Sequence, residues 1–564
     1  MHLTNQPTKV CRSEQRKLLA LVLLGCLLYS CGMTIADPDL WGHTLYGLRA
    51  IAQGIWLERT DPFSYTAPHA AWVNHEWLTE YAYGWIWNHA GNTGLWIWRN
   101  LAVATVFFVA AWSLRRARGS VAAAICLWVF GALCLANFVA FIRPQLATFA
   151  LFALVLAILR EHWDNPRSRK IWSLPVLAAL WVNLHGGFLA GVGLMAVFAG
   201  AGAARCMAGA GRWGDCMKFS AVCGLSVAAT LLNPYGASLY SMLWDHLIPE
   251  QMVREWQPLW GARQSPGYYL PFVIMALALP WSKRWKWIDL LILAVVTVQG
   301  LMHIRHIALL CIAVMVLLPG SLSDGLNRLF PHVARQLAGA PGGRWVATLA
   351  LVLALVALQA HDSWSMWRHG MLPWNIATEV RRDVPGVPAR AVRLMVAEGI
   401  SGNLVTEYGW GQYVLWHLFP QSRVAFDGRY RTVYPMQLER DFLAFQQVSR
   451  NQPAKTPLLD QFDTEIALVP TKHGPANYLA GRSDWVKIFA DDQAALFVRN
   501  TPRFAPVIAR SRAGRLAVPA EAAWELFPAG PGLSVAALTA NPGAIAVRRA
   551  NSLDGLAALS ANGR

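Results

Sequence analysis

The chain has 564 residues, of which 55% are hydrophobic and only 14% charged, with a mean hydropathy of +0.33. A soluble domain carries about 25% charged residues, so this composition excludes disorder, a long coiled coil and a purely soluble enzyme. Lys and Arg exceed Asp and Glu by 17, but the cations stand in small clusters between apolar runs, which speaks for a polytopic membrane protein and not for nucleic-acid binding. Nine cysteines, all before residue 312 and with no CxxC pair, point to neither a disulfide framework nor a thiolate zinc site.

Apolar stretches of spanning length fall near 17–35, 95–114, 121–142, 144–160, 171–185, 187–205, 218–233, 268–282, 286–302, 304–320 and 345–361, predicting about eleven transmembrane helices. The first reads as a retained span, because its apolar core is long and no small-residue cleavage site is evident. Basic clusters occupy the segment before the first span (Lys9, Arg12, Arg16, Lys17) and then every second connection. These are Arg115/Arg116/Arg118, Arg167/Arg169/Lys170, Arg205/Arg212/Lys218, Lys283/Arg284/Lys286 and Arg328/Arg335/Arg344. The other connections hold only Arg49, Arg59, Arg99, Arg143, Arg254, Arg263 and Arg305. One alternating assignment satisfies this bias of about twenty to seven: N-terminus in the cytoplasm, long first loop 36–94 and everything after residue 361 outside.

The expected organisation is therefore a membrane module, 1–361, an extracytoplasmic α/β domain, 362–500, and a weakly structured tail, 501–564. In the α/β domain the pattern predicts a helical stretch near 376–398, strands at 402–408 and 424–427, and a short amphipathic helix at 410–418. Further strands are expected near 465–470 and 486–499.

The polar motifs all fall on the outer side of that assignment. Asp37-Pro38-Asp39-Leu40-Trp41-Gly42-His43 follows the first span, and Asp61-Pro62-Phe63-Ser64-Tyr65-Thr66 and Asn74-His75-Glu76-Trp77-Leu78 lie in the same loop. Arg143-Pro144-Gln145, Asn183-Leu184-His185-Gly186-Gly187, Asn233-Pro234-Tyr235-Gly236, Glu255-Trp256-Gln257-Pro258 and His303-Ile304-Arg305-His306 follow in later loops. Their common side predicts one polar outward-facing site, since charges at membrane depth line cavities or pair with one another. Blander roles compete: snorkelling for Arg143 and Arg305, capping of a helix over Leu40–Gln53 by Asp39, a tight break at His185, and a plain turn at Phe426-Asp427-Gly428-Arg429.

Two motif matches lead nowhere. His75-Glu76-Trp77-Leu78-Thr79 starts like a zinc-protease helix but has Thr79 where the second His belongs. Gly209-Ala210-Gly211-Arg212-Trp213-Gly214 matches GxGxxG by letters, with no strand before it. There is no P-loop, so no nucleotide cofactor or ATP engine is expected.

A transferase outside the cytoplasm needs a donor activated in the lipid, and a polyprenyl-phosphate sugar fits. Arg143 and Arg305, with His185 or His306, would hold its phosphate, and Asn183 would contribute to substrate binding. Asp37 or Asp39 would take the proton of the attacking acceptor. Asp37, Asp39 and Glu76 would bind a divalent metal, Mg or Mn, with His43 and His75 nearby. Asp427, Arg429 and Trp410 would border the acceptor side. Twenty-eight tryptophans, among them Trp41, Trp56, Trp72 and Trp77, suit both an interfacial belt and sugar stacking.

These motifs resemble the GT-C superfamily of membrane glycosyltransferases. Asp37-Pro38-Asp39 is similar to the first-loop acidic motif of its oligosaccharyltransferase branch, and Asp61-Pro62-Phe63-Ser64 to a later segment of that loop. Glu407-Tyr408-Gly409-Trp410-Gly411-Gln412-Tyr413 is faintly similar to the branch's Trp-Trp-Asp-Tyr-Gly motif, lacking the paired tryptophans and carrying Glu in place of Asp. The ordered set over about residues 30–500 resembles a bacterial family described as glycosyltransferase-like. The resemblance implies a GT-C fold, a lipid-linked donor, and Asp37 and Asp39 as catalytic and metal-binding positions. The expected activity is a hexosyl-type transfer at a bacterial inner membrane to a periplasmic glycan, lipid or protein. Two rivals stand beside it: a flippase of lipid-linked sugars, and a non-catalytic envelope-assembly protein.

Overall fold

The structure is a computed structural model that describes residues 9–246, 254–261, 264–332, 341–368, 374–378, 386–448, 457–517, 526–529 and 533–540. The chain forms two compact units. A helical unit comprises Met1–Thr34, Trp96–Ser238 and Ile248–Trp374, and a loop–sheet unit comprises Ile35–Leu95, Leu239–Leu247 and Asn375–Arg564. The first loop thus belongs with the C-terminal region, a grouping that the sequence-based division at residue 361 does not contain.

In chain order the helices are α1 (Lys9–Cys31), α2 (Leu40–Gln53), α3 (Trp77–Arg116), α4 (Val121–Val139), α5 (Gln145–Asp164), α6 (Leu174–Leu184) and α7 (Phe188–Met207). They continue as α8 (Trp213–Ala229), α9 (Ser238–His246), α10 (Leu270–Ala278), α11 (Trp287–Met302), α12 (Ile307–Leu317) and α13 (Pro319–Leu329), with one more at Pro341–Arg368. α3 is broken at Gly91, where φ is 54° and ψ −143°.

Among the described residues, four helices are long and apolar enough to cross a membrane: α3, α4, α5 and α7. A fifth is reached if Ile304–Leu317 and Pro319–Leu329, bent by 76°, count as one span. The expected eleven spans are therefore not all continuous helices. α6 and α12 have 11 residues each, about 16 Å of helix against a hydrocarbon core of about 30 Å. Breaks at His185–Gly187 and at Pro319 cut them short.

α12 is apolar on every face and buried at every position but Leu309, as a central helix must be; α4, α5, α10 and α11 pack around it. Three of the expected cytoplasmic clusters meet at one end of this unit. Arg160 pairs with Asp164 and Asp289, Lys286 with Asp164, and Lys170 and Arg116 with Glu161. Arg99, fully buried in α3, donates to the carbonyls of Ser30 and Cys31 at the end of α1, of Met33 just after it and of Val139 at the end of α4. It satisfies helix-terminal carbonyls that have no intrahelical partner.

The loop–sheet unit is built on five strands: β1 (Asn403–Thr406), β2 (Arg423–Val424), β3 (Ile466–Pro470), β4 (Trp485–Ala490) and β5 (Ala494–Arg499). Their order is β2-β1-β3-β5-β4, parallel across β2-β1-β3 and antiparallel beyond. The helix Gly411–Leu418 connects β1 to β2. The strand expected over 486–499 is a hairpin, turned where Asp491 accepts the amides of Gln493 and Ala494. The first loop extends this sheet: Val424 N donates to Phe63 O, and Tyr65 N to Val424 O, at 3.1 and 3.2 Å.

The helix expected within 376–398 is present as Ala389–Ala397, while 379–385 and the tail 541–564 lie outside the described residues. Earlier parts of the tail are structured. Ala505–Arg512 is helical, and Phe527 is buried against Trp41, Trp87 and Trp416.

Candidate functional site

In the loop–sheet unit, α2 and the start of α3 touch backbone to backbone. A Cβ on Gly47 would lie 1.9 Å from Glu80 O, and one on Gly84 2.4 Å from Gly47 C. Glycine at both positions permits this approach. One turn before each glycine stand His43 on α2 and Glu80 on α3, and Glu76 lies one turn before Glu80, so the crossing brings all three together. His43 Nδ1 is 3.0 Å from Glu80 Oε1 and His43 Nε2 3.8 Å from Glu76 Oε2. Asn74 donates to the other oxygen of Glu80, and His75 Nε2 is 3.7 Å from Glu76. Burial alone would lower the pKa of His43; the hydrogen bond to Glu80 and the charges of Glu76, Glu80 and Asp39 outweigh it and raise it to about 9.

His43, Glu76 and Glu80 offer one imidazole nitrogen and two carboxylates whose ligand atoms all lie within 4.8 Å of one another. That donor set fits a divalent cation such as Zn or Mn. Of the expected metal ligands Asp37, Asp39 and Glu76, only Glu76 belongs to this group. Glu80 was missed; its signal is the i, i+4 spacing from Glu76, which puts both on one helical face.

Asp37 and Asp39 exchange the roles the sequence suggests. Asp39 makes no side-chain capping bond to α2. Buried Asp37 instead accepts the Asp39 amide at 3.0 Å and fixes the turn into the helix. The half-buried Asp39 carboxylate rests on the backbone of Gly428, where a Cβ would come within 1.9 Å of Oδ1.

Gly428 sits in the Phe426–Arg429 turn, and this turn is wired to the first loop. Arg429 donates to Asp427 at 2.7 Å and to Asp61 at 2.6 Å, with its guanidinium 5.0 Å from the rings of both Phe63 and Trp72. Asp427 and Arg429, expected along an acceptor cleft, are buried in this network. Trp410 is buried too, donating to Gly386 O at 3.1 Å.

In the helical unit the remaining expected residues form two groups. Arg143 pairs with Glu255 at 2.6 Å. Arg305 lies 4.5 Å over the Trp256 ring, whose carbonyl is 2.9 Å from His303 Nδ1; His306 stacks edge-on to His303 at 5.5 Å. In the second group, His185 Nδ1 accepts the Gly187 amide and lies 2.9 Å from Thr148 Oγ1, which in turn accepts Trp181 Nε1. With Nδ1 accepting, the neutral ring of His185 carries its proton on Nε2. Asn183 is spent on the carbonyls of Ala179 and Leu232. α5 starts beside Arg143 and ends at Asp164, about 30 Å away, so this cationic end is opposite the Glu161/Asp164/Asp289 network.

Solved structures share this arrangement of helices and sheet. The archaeal oligosaccharyltransferase AglB from Archaeoglobus fulgidus, in complex with an inhibitory peptide and a dolichol-phosphate, matches with a TM-score of 0.53 and 11% identity, over 82% of this chain and 70% of that one. The fold is that of the GT-C membrane glycosyltransferases. The apo form of the Archaeoglobus fulgidus oligosaccharyltransferase matches this chain at 0.51 and 11% identity, over 81% and 70%. ArnT from Cupriavidus metallidurans bound to undecaprenyl phosphate gives 0.48 and 13%, over 87% and 98%. No protein-family model and no curated protein matches the sequence.

Proposed function

We propose that this GT-C chain is a membrane glycosyltransferase that moves a sugar from a polyprenyl-phosphate donor to an acceptor outside the cytoplasm, in a bacterial inner membrane. The observation that carries the reading is the largely buried His43–Glu76–Glu80 cluster in the region after the first helix, on a fold shared with an enzyme solved in complex with a dolichol-phosphate.

In the helical unit, Arg305 and Arg143, with His306 and His185, bind the donor phosphate and offset the charge it gains as it leaves. In the loop–sheet unit, Asp39 takes the proton of the acceptor hydroxyl or amine. The acceptor heteroatom bonds to the anomeric carbon while the bond from that carbon to the phosphate oxygen breaks. The electron pair stays on the phosphate. Asp37 holds the turn that presents Asp39, and the Asp427–Arg429–Asp61 network holds the Gly428 seat beneath it. A divalent cation, held by His43, Glu76 and Glu80, would supply Lewis-acid stabilisation of anionic oxygen when bound.

Native mass spectrometry of the purified full chain tests this. Wild type should retain an isoprenoid phosphate, or its glycosylated form, that Arg305→Gln loses, and Asp39→Asn should keep the lipid but lose transfer. Absence of isoprenoid from wild type, even after incubation with undecaprenyl phosphate, would overturn the reading. Full transfer by Asp39→Asn would remove that residue from the chemistry.

A further inference from the structure

Beside the His43–Glu76–Glu80 cluster, the loop–sheet unit carries a shallow aromatic cleft to which no role has been given. α2 stops at Gly54, whose left-handed backbone (φ 68°) turns the chain outward, and Trp56 follows with 67% of its surface exposed. Trp56 lies 5.2 Å from Tyr81 with the rings tilted by 35°. Tyr46 and Trp72, buried and edge-to-face at 5.0 Å, make the rigid part of the wall, and Trp77, Glu58 and Glu80 complete the lining.

We propose that this cleft binds a sugar ring and that the acceptor of the transfer proposed above is a carbohydrate. The inference rests on that reading for the word acceptor, but the binding site stands on its own geometry. An indole face exposed next to a second aromatic ring is a stacking surface for the C–H face of a pyranose, whose hydroxyls then need acceptors at the edge. Both carboxylates are fixed in advance: Glu58 pairs with Arg49 at 2.8 Å, and Glu80 is held by His43 and Asn74.

Glu58 already has its cation in Arg49, and Glu80 is bound up in the His43–Glu76–Glu80 cluster, so the edge offers carboxylate lone pairs to hydroxyl donors and repels an anion. A neutral polyhydroxyl ligand is the class that fits both the aromatic wall and this edge. The enclosed space is only about 10 Å³, room for one water molecule, so the ring lies across the aromatic wall and not inside it. Tyr46, part of that wall, has a buried hydroxyl without a hydrogen-bond partner among the described residues, an uncommon state for a native interior.

The test is calorimetric titration of the full chain in nanodiscs with neutral tetrasaccharides of glucose, galactose, mannose and N-acetylglucosamine. At least one should bind to wild type, about tenfold more weakly to Trp56→Ala, and near normally to Trp56→Phe, which keeps a stacking ring. Trp56 is exposed, so its loss should leave folding intact. Binding of none of the four, or equal binding by Trp56→Ala, would overturn the proposal. So would loss of Trp56 fluorescence to brominated lipid, read as the difference between wild type and Trp56→Phe, since the indole would then face the membrane.

Failure of the transferase reading looks different: saccharide binds, yet wild type retains no isoprenoid phosphate. Transfer to a saccharide that is indifferent to Trp56→Ala would sink the cleft and leave the transferase standing.

Discussion

Two buried arginines, one in each unit, are held in opposite ways. In the loop–sheet unit Arg429 meets two buried carboxylates, Asp61 and Asp427, and His43 meets buried Glu80 and half-buried Glu76. In the helical unit the fully buried Arg99 meets chiefly backbone carbonyls at the ends of two helices. The difference follows from what each backbone leaves unsatisfied. Helix ends expose carbonyls that attract a cation, whereas an irregular loop must be fixed by side chains of opposite charge. The same residue type therefore does unlike work, and a count of outer-loop arginines groups Arg99 with Arg143 and Arg305 although only the latter two are accessible to a ligand.

The sharpest way to break this comparison is to remove each cation. Arg429→Met leaves two buried carboxylates without their partner, and should cost about 3–5 kcal/mol; thermal unfolding of the detergent-solubilised chain should show it. If Asp61→Asn is added and restores none of the loss, the network is not what holds the loop.

Glu407 gives an effect of about 3 kcal/mol that depends on pH. Burial raises its carboxyl from an ordinary 4.5 to about 7, against the lowering by the amides of Gly409 and Trp410. Its folded pKa lies above its unfolded one, so this contribution to stability is complete below pH 4.5 and lost as pH rises through 7. Unfolding measured across that window should show the slope in wild type, and Glu407→Gln should flatten it.

Arg99→Met strands carbonyls instead of charges and should cost about 2 kcal/mol, less than Arg429→Met in the same assay. An equal or larger loss would mean that the helical unit depends on its buried cation as much as the loop does. The smallest stability change is expected for Gly428→Ala, about 1 kcal/mol, because the new methyl meets the flexible ends of Asp39 and Gln412. On the proposal that Asp39 takes the acceptor's proton, transfer should nevertheless fall by tenfold or more.

Much of the sheet could be read directly. The alternation and turn residues gave β1, β3 and the helix Gly411–Leu418 nearly to their ends, and α2 over Leu40–Gln53 as expected. Span counting did less well, because hydropathy sums over breaks such as His185-Gly186-Gly187 that the backbone does not cross as helix. The candidate site was half legible. His43 and Glu76 stand in motifs visible in the sequence, and Glu80 follows Glu76 at i, i+4 spacing, but nothing local ties His43 to either carboxylate.

Composition, hydropathy and charge placement determined that this chain is helical, apolar and polarised, because those properties add up residue by residue. Only the tertiary structure decided that Asp61 belongs with Arg429, that Asp39 rests on Gly428, and that His43 completes the pair Glu76 and Glu80. Such contacts depend on where two backbones approach closely enough to touch. Glycines spaced far apart in the chain permit that approach, but no local pattern announces which of them will meet.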